Sequence, residues 1–346
     1  MLSGFASNSI LAVIRTKYGA CLTERNFRDM SALHSVPEVA AYLASRTRYG
    51  EAVSGLDLSG INRSGLERAL RNFLLDEIYD VCRFEKSVGE NMFTCIIRRL
   101  EVTELLSFMR LFISGNADKY TPRDNYIFDQ MSEIDFPRLL LAKSLDDIIA
   151  CVNESELVRI LRAHSGNQML SSDFTVVEAL MMRYLYSFER DVMSRDFRGE
   201  TRRDLMRGLS IRADMHNLVK IYRSKKYFAV SNDLLASELV ETDEFVSGAM
   251  WKRLAASADE YEFFTLLRET RYGRYFADRN SNFDRTAKII QNDYFRRRIR
   301  MSRSPAEVML SYVCLMETEI ANITMIIEGV RYSAPQTVFD KMLILE

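Results

Sequence analysis

The sequence predicts an all-α protein made by repeating one helical unit. Three observations carry that prediction. Glycine and proline together supply 19 of 346 residues, about half the usual share. No proline occurs between Pro137 and Pro305, and that stretch is rich in the helix formers Leu, Met, Arg, Glu and Ala. A ten-residue signature then recurs at a spacing of roughly a hundred residues, the mark of a multiplied supersecondary unit.

The clearest copies of the signature run from Asp214 to Arg223 and from Glu319 to Glu328, 105 positions apart without a gap. Tyr227 and Tyr332 also fall in register. A third copy runs from Glu101 to Arg110, 113 positions before the first. In one copy Leu218, Ile221, Tyr222 and Lys225 lie at i, i+3, i+4 and i+7. In another, Ile320, Ile323, Ile327 and Val330 make a similar stripe along one helix face. The first helix carries a partial echo, in which Ile10, Val13, Ile14, Arg15 and Lys17 match Leu218, Ile221, Tyr222, Arg223 and Lys225. These copies divide the chain into helical units at residues 1–100, 101–211 and 212–346, expected to pack as one continuous body.

Four Ser-x-x-acid segments predict helix starts: Ser35 to Glu38, Ser144 to Asp147, Ser257 to Glu260 and Ser304 to Glu307. The serine hydroxyl accepts from a free amide of the first turn and the acid reaches back. Pro37 and Pro305 sit where a helix tolerates proline. A further echo, Leu43-x-x-x-Thr47-Arg48-Tyr49-Gly50, returns as Leu266-x-x-x-Thr270-Arg271-Tyr272-Gly273. It reads as a helix end, with glycine in the left-handed conformation, arginine at the negative pole and tyrosine covering the last turn. Ser54–Gly65, with glycines at every fifth position from Gly50, and Gly115–Pro122 read as connections. Gly166–Asp173 and Arg195–Arg203 read as turns. No strand is indicated.

Composition excludes several function classes. The formal net charge is −1, from 47 basic and 48 acidic residues, so the whole molecule has no attraction for nucleic acid or anionic lipid, and any such role needs a local patch. The five cysteines, Cys21, Cys82, Cys95, Cys151 and Cys314, are scattered without a Cys-x-x-Cys pair, which argues against a disulfide framework or zinc site and fits a reducing cytoplasm. Met1 to Ile14 is uncharged but lacks a basic leader and is too short to span a bilayer.

Motifs for chemistry are missing or incomplete. There is no Gly-x-x-x-x-Gly-Lys loop, no Gly-x-Gly-x-x-Gly, no His-Glu-x-x-His and no Gly-x-Ser-x-Gly. His34, His164 and His216 are far apart in the chain, and His216 reads as a surface or boundary residue. Asp146-Asp147 begins an Asp-Asp-x-x-Asp metal motif that fails at Ala150, and reads instead as a charged first helical turn. Arg296-Arg297-Arg298-Ile299-Arg300 with Arg303 is the one dense basic run, read as a solvated face or protein contact, with acidic lipid or nucleic acid as the other options. Seventeen methionines suit adaptable helix packing. Asn217 and Asn322 each follow an acid by three residues and lie beside the apolar stripe, where a buried amide would bond a neighbouring loop and fix helix register. No catalytic, cofactor-binding or metal-binding residue is expected.

The pattern acid-x-x-Asn-[Leu/Ile]-x-x-Ile followed by a basic residue and Tyr, with Thr-x-Tyr-Gly closing earlier helices, resembles the central-stalk family of V-type and A-type rotary ATPases, whose members are named C-type in bacteria and archaea and d-type in eukaryotes. The matching segments, Ile10 to Gly50, Arg212 to Phe228, Leu266 to Gly273 and Glu317 to Leu343, reach nearly end to end. The middle unit departs from the pattern, with Glu104 in place of Asn. The resemblance implies a funnel of three helical units around a pseudo-threefold axis. Its mouth would receive the rotor shaft, formed by D- and F-type subunits, and its opposite face would sit on the membrane rotor ring. It implies a non-catalytic coupler on the cytoplasmic face of the membrane, in proton or sodium transport, touching the membrane only through the ring. A free-standing helical scaffold is the alternative reading, and an all-helical enzyme with a diphosphate or lipid substrate a third.

Overall fold

Helices supply all the regular secondary structure among the described residues of the computed structural model, which are 4–83, 86–121, 125–164, 174–228, 230–277 and 282–345. One isolated antiparallel bridge joins Ile134 to Val152. In chain order the α-helices are α1 (Gly4–Gly19), α2 (Glu24–Ser31), α3 (Val36–Arg46), α4 (Gly50–Val53), α5 (Arg63–Arg83) and α6 (Lys86–Ile113). Four short helices follow: α7 (Tyr126–Met131), α8 (Phe136–Leu139), α9 (Leu145–Ile149) and α10 (Ser155–Ala163). Then come α11 (Phe174–Asp196), α12 (Gly199–Tyr227), α13 (Asn232–Glu238), α14 (Gly248–Ala256) and α15 (Glu260–Arg268), and finally α16 (Phe283–Met301), α17 (Pro305–Arg331) and α18 (Gln336–Met342).

The caps form largely as their residues dictate. Ser35, Ser144 and Ser304 each accept from the backbone amide three residues on and start α3, α9 and α17. Asp146 and Asp147 occupy the first turn of α9, with Asp147 closing a reciprocal box on Ser144. The expected start at Ser257 is displaced. Asp259 caps α15 and Glu262 reaches back to Ala258, while Ser257 closes the preceding helix by donating to Leu254 O at 2.8 Å. With α14 ending so close, Ser257 is already engaged, and the carboxylate two residues later takes the free amides. The expected turn at 195–203 is shorter than its sequence suggests, because α11 runs to Asp196 and α12 begins at Gly199, where φ is 58°. The expected turn at 166–173 lies outside the described residues, apart from the helix start that follows it.

The chain forms two compact units, residues 1–92 with 274–346 and residues 93–273. In the first, α17 is the core. It packs against α1, α2, α3, α5, α16 and α18, and the stripe Ile320, Ile323, Ile327 and Val330 is buried with most of the rest of the helix. Among the described residues α17 is the one helix long and apolar enough to cross a membrane. Here it is enclosed by protein, with Glu307, Glu319 and Asn322 buried along it. In the second unit α12 holds the same place against α11 and α15. Leu218, Ile221 and Tyr222 are buried while Lys225 reaches the boundary. A buried ion pair, Arg212 Nη1 to Glu189 at 2.7 Å, ties α12 to α11.

Candidate functional site

The two long helices of the repeat carry matching polar nodes. Asn217 on α12 donates through Nδ2 to Val240 O at 2.8 Å and accepts through Oδ1 from Val240 N at 2.9 Å. Asn322 on α17 does the same with Ile344, at 2.9 and 3.0 Å. In each case a long helix is followed by a short one, α13 or α18, and the extended chain beyond it pairs with the asparagine. A carboxamide presents one donor and one acceptor side by side, which is what a strand-like residue without a ladder needs. The amides bond a neighbouring segment as their place beside the apolar stripe suggests.

The acids three residues earlier are buried too. Tyr272 donates to Asp214 at 2.7 Å, and Tyr49 donates to Glu319 at 2.6 Å. Leu22 N adds a bond to Glu319 at 2.8 Å. The two repeated motifs therefore meet, the tyrosine of Thr-Arg-Tyr-Gly with the acid of the long helix. Burial raises the Glu319 carboxyl above its ordinary range, against the opposing hydrogen bonds of Tyr49 and Leu22. Burial pushes Asp214 up to about 7, with the Tyr272 and Thr242 hydroxyls pulling the other way.

The reading of Thr-Arg-Tyr-Gly as a left-handed helix end is corrected by this geometry. Neither Gly50 nor Gly273 has positive φ. Thr47 and Thr270 each accept from the tyrosine amide at 3.2 Å and donate at 2.7 Å to Leu43 O and Leu267 O respectively. That bond turns the chain and drives the tyrosine inward. The glycine is required because the chain folds back on its own helix. A Cβ at Gly50 would stand 2.8 Å from Ala44 O, and one at Gly273 would stand 2.5 Å from the Arg268 Cα.

The arginines of the two motifs diverge. Arg48 ion-pairs with Glu77 at 2.6 Å and donates to Tyr312 Oη and Lys17 O, both at 3.0 Å. Lys17 also reaches Glu77, at 2.9 Å. Burial opposes the charge on Glu77, yet Tyr312, Lys17 and Arg48 together hold its carboxyl below the ordinary value. Arg271 is exposed and lies over the Phe245 ring at 4.3 Å. The middle copy keeps the buried acid without the asparagine. Glu101 accepts from Glu133 N, and Glu104 accepts from Tyr120 Oη at 2.9 Å. Burial raises Glu101, against the charge of Arg98.

The repeat-related helix ends are exposed. Tyr227 and Phe228 close α12 at 62% and 64% exposure, and Tyr332 closes α17 at 67%. Lys226 lies 5.5 Å from the Tyr227 ring and Arg331 lies 5.4 Å from that of Tyr332. Exposed tyrosines beside a neighbouring cation are the kind of group that anchors protein contacts.

In the second unit a cavity of about 420 Å³ lies among α10, α11 and α12. Arg183 and Arg190 both face Glu241 at its edge, at 3.8 and 3.9 Å. His164 borders it with Nδ1 2.9 Å from Ile160 O, and half-buried His216 packs against the Tyr186 ring.

A family model described as ATP synthase (C/AC39) subunit matches residues 10–341. The chain belongs to that family. No curated protein matches it. The family is the AC39/d family of V/A-type ATPases, whose members are structural components of a membrane-associated complex. The match takes in all three copies of the repeated acid, both Thr-Arg-Tyr-Gly segments and both exposed tyrosine ends. Reading the sequence misses the pairing of Tyr49 and Tyr272 with the acids, and the Lys17–Glu77–Arg48–Tyr312 cluster. The signals were present, since Lys17 and Arg48 each fall in a repeated motif, but the spacing of a motif does not name its partner.

Proposed function

We propose that the chain is the non-catalytic central-stalk coupler of a V/A-type rotary ATPase, joining a rotor shaft of D- and F-type subunits to the membrane rotor ring. In this reading it works on the cytoplasmic face, in proton or sodium transport, and residues 1–100, 101–211 and 212–346 descend from one unit arranged as a funnel. The family supports the assembly. The observation that carries the coupling role is the doubled node, in which α12 and α17 are each tied at successive levels by a tyrosine hydroxyl and a carboxamide. A part that transmits torque must hold shape under load. Directional bonds in an apolar interior fix helix register more firmly than apolar contact alone. Tyr227 and Tyr332 then serve as anchors for partner subunits.

The test is functional. Membrane vesicles lacking this chain are expected to hydrolyse ATP without moving ions, and the wild-type chain restores transport. A Tyr227→Ala/Tyr332→Ala chain, unchanged in melting, restores less. Full ion transport in its absence would refute the coupling role.

A further inference from the structure

A second cavity of the second unit, of about 380 Å³, lies among the end of α13, the chain that follows it and the start of α14. Gly248, Trp251 and Lys252 line it from α14, at i, i+3 and i+4 on one helix face. Trp251 is the chain's one tryptophan and is 5% exposed, and its buried indole N–H meets no acceptor among the described residues. Buried donors are nearly always satisfied, so an unmet one in a cavity wall marks a place for an acceptor. The first turn of α14 adds donors. Ser247 Oγ takes the Met250 amide and Ser247 O takes that of Trp251, while the amides of Gly248 and Ala249 have no acceptor among the described residues. A Cβ at Gly248 would meet nothing within 4 Å, so the space beside this turn is open. Side chains on a helix lean toward its N-terminus, which brings exposed Lys252 toward the same turn.

The chain between α13 and α14 lines the cavity with Glu241 and Asp243. Glu241 is shared at 3.8 and 3.9 Å by Arg183 and Arg190, and Arg190 also borders the cavity. Neither Lys252 nor Asp243 joins an ion pair among the described residues. Ala236 and Leu239 supply apolar wall. The lining is neutral in sum but divided by element, with donors on α14 and acids on the chain before it.

We propose that this cavity binds a free amino acid with an apolar side chain. Its carboxylate accepts from Trp251 Nε1, Lys252 and the first amides of α14, where the helix dipole favours a negative group. Its ammonium faces Glu241 and Asp243, and its side chain lies against Ala236 and Leu239. A plain anion would meet two acids and a plain cation two basic groups, whereas a zwitterion matches both. The volume falls within the range of small-molecule sites. The site needs neither shaft nor ring, so it stands or falls apart from the coupling role.

The experiment titrates the purified full chain with L-leucine and reads the emission of Trp251, which no other indole obscures. A saturable change is expected, with a rise in melting temperature. N-acetyl-leucine lacks the ammonium and isoamylamine lacks the carboxylate, and each should bind roughly tenfold more weakly, or worse. Lys252→Gln should weaken leucine to a similar degree without weakening isoamylamine. Asp243→Asn should weaken leucine without weakening N-acetyl-leucine. Both positions are exposed, so melting without ligand should not move. Trp251→Phe keeps a ring and loses the N–H, and should bind leucine more weakly by calorimetry. No saturable response to leucine, equal affinity for either analogue, or unimpaired leucine binding in any of the three variants would overturn the proposal.

Discussion

Glu101, Asp214 and Glu319 share one place in the repeat, and all three are held above the ordinary carboxylate range, chiefly by burial. Asp214 gives the clearest consequence. Its folded-state value of about 7 exceeds the ordinary 3.8, so the folded chain binds the extra proton. Its contribution is full below the ordinary value and is lost as pH rises through about 7. Asp214→Asn should remove that loss and still accept from Tyr272. At pH 8 the variant is expected to be more stable than wild type by up to roughly 4 kcal/mol, with a flatter pH profile in chemical denaturation. Glu77 acts in the opposite sense. Its lowered value means stability present at neutral pH and lost as pH falls through the acidic range. The asparagines test the nodes directly. Asn217→Ala strands the amide and carbonyl of buried Val240 and should cost about 2–4 kcal/mol. Asn322→Ala should cost less, about 1–2 kcal/mol, because Ile344 is half-exposed. Equal costs in urea titration would contradict this account of the bonds. The acids, asparagines and tetrapeptides were each legible in the sequence. The join between Tyr49 and Glu319 was not, since 270 residues separate them and only tertiary structure brings them together.

At the scale of the element, the helices were the most legible part. The spacing of apolar residues placed α12 and α17, and serine caps placed three helix starts. The errors fell where two local signals compete, as at Ser257, where a helix end and a helix start claim one residue. They fell also where a glycine has two uses. A left-handed turn and a close approach both call for glycine, and sequence alone does not separate them. The contrast makes a prediction. Gly273→Ala drives a Cβ against its own backbone and should cost about 1–3 kcal/mol, with Gly50→Ala also unfavourable. Gly248→Ala, at the first residue of α14 with nothing within 4 Å of the new atom, should be neutral or gain up to about 1 kcal/mol. Thermal melting of the three variants checks the order.

For the whole molecule, the repeat says more than its boundaries do. In the first compact unit the tyrosine of an N-terminal tetrapeptide completes the node of the C-terminal α17, and in the second Tyr272 completes that of α12 from further along the chain. The C-terminal helix thus finishes the N-terminal module, a closure between distant parts of the chain that stiffens the unit without a disulfide. In the coupling role proposed above, this stiffness would serve the transfer of rotation between partners. The most direct test is affinity capture of the tagged chain from gently solubilised membranes, followed by identification of what co-purifies. Shaft subunits and the rotor ring should come down together with it. Capture of an unrelated assembly, with neither shaft nor ring, would contradict the account.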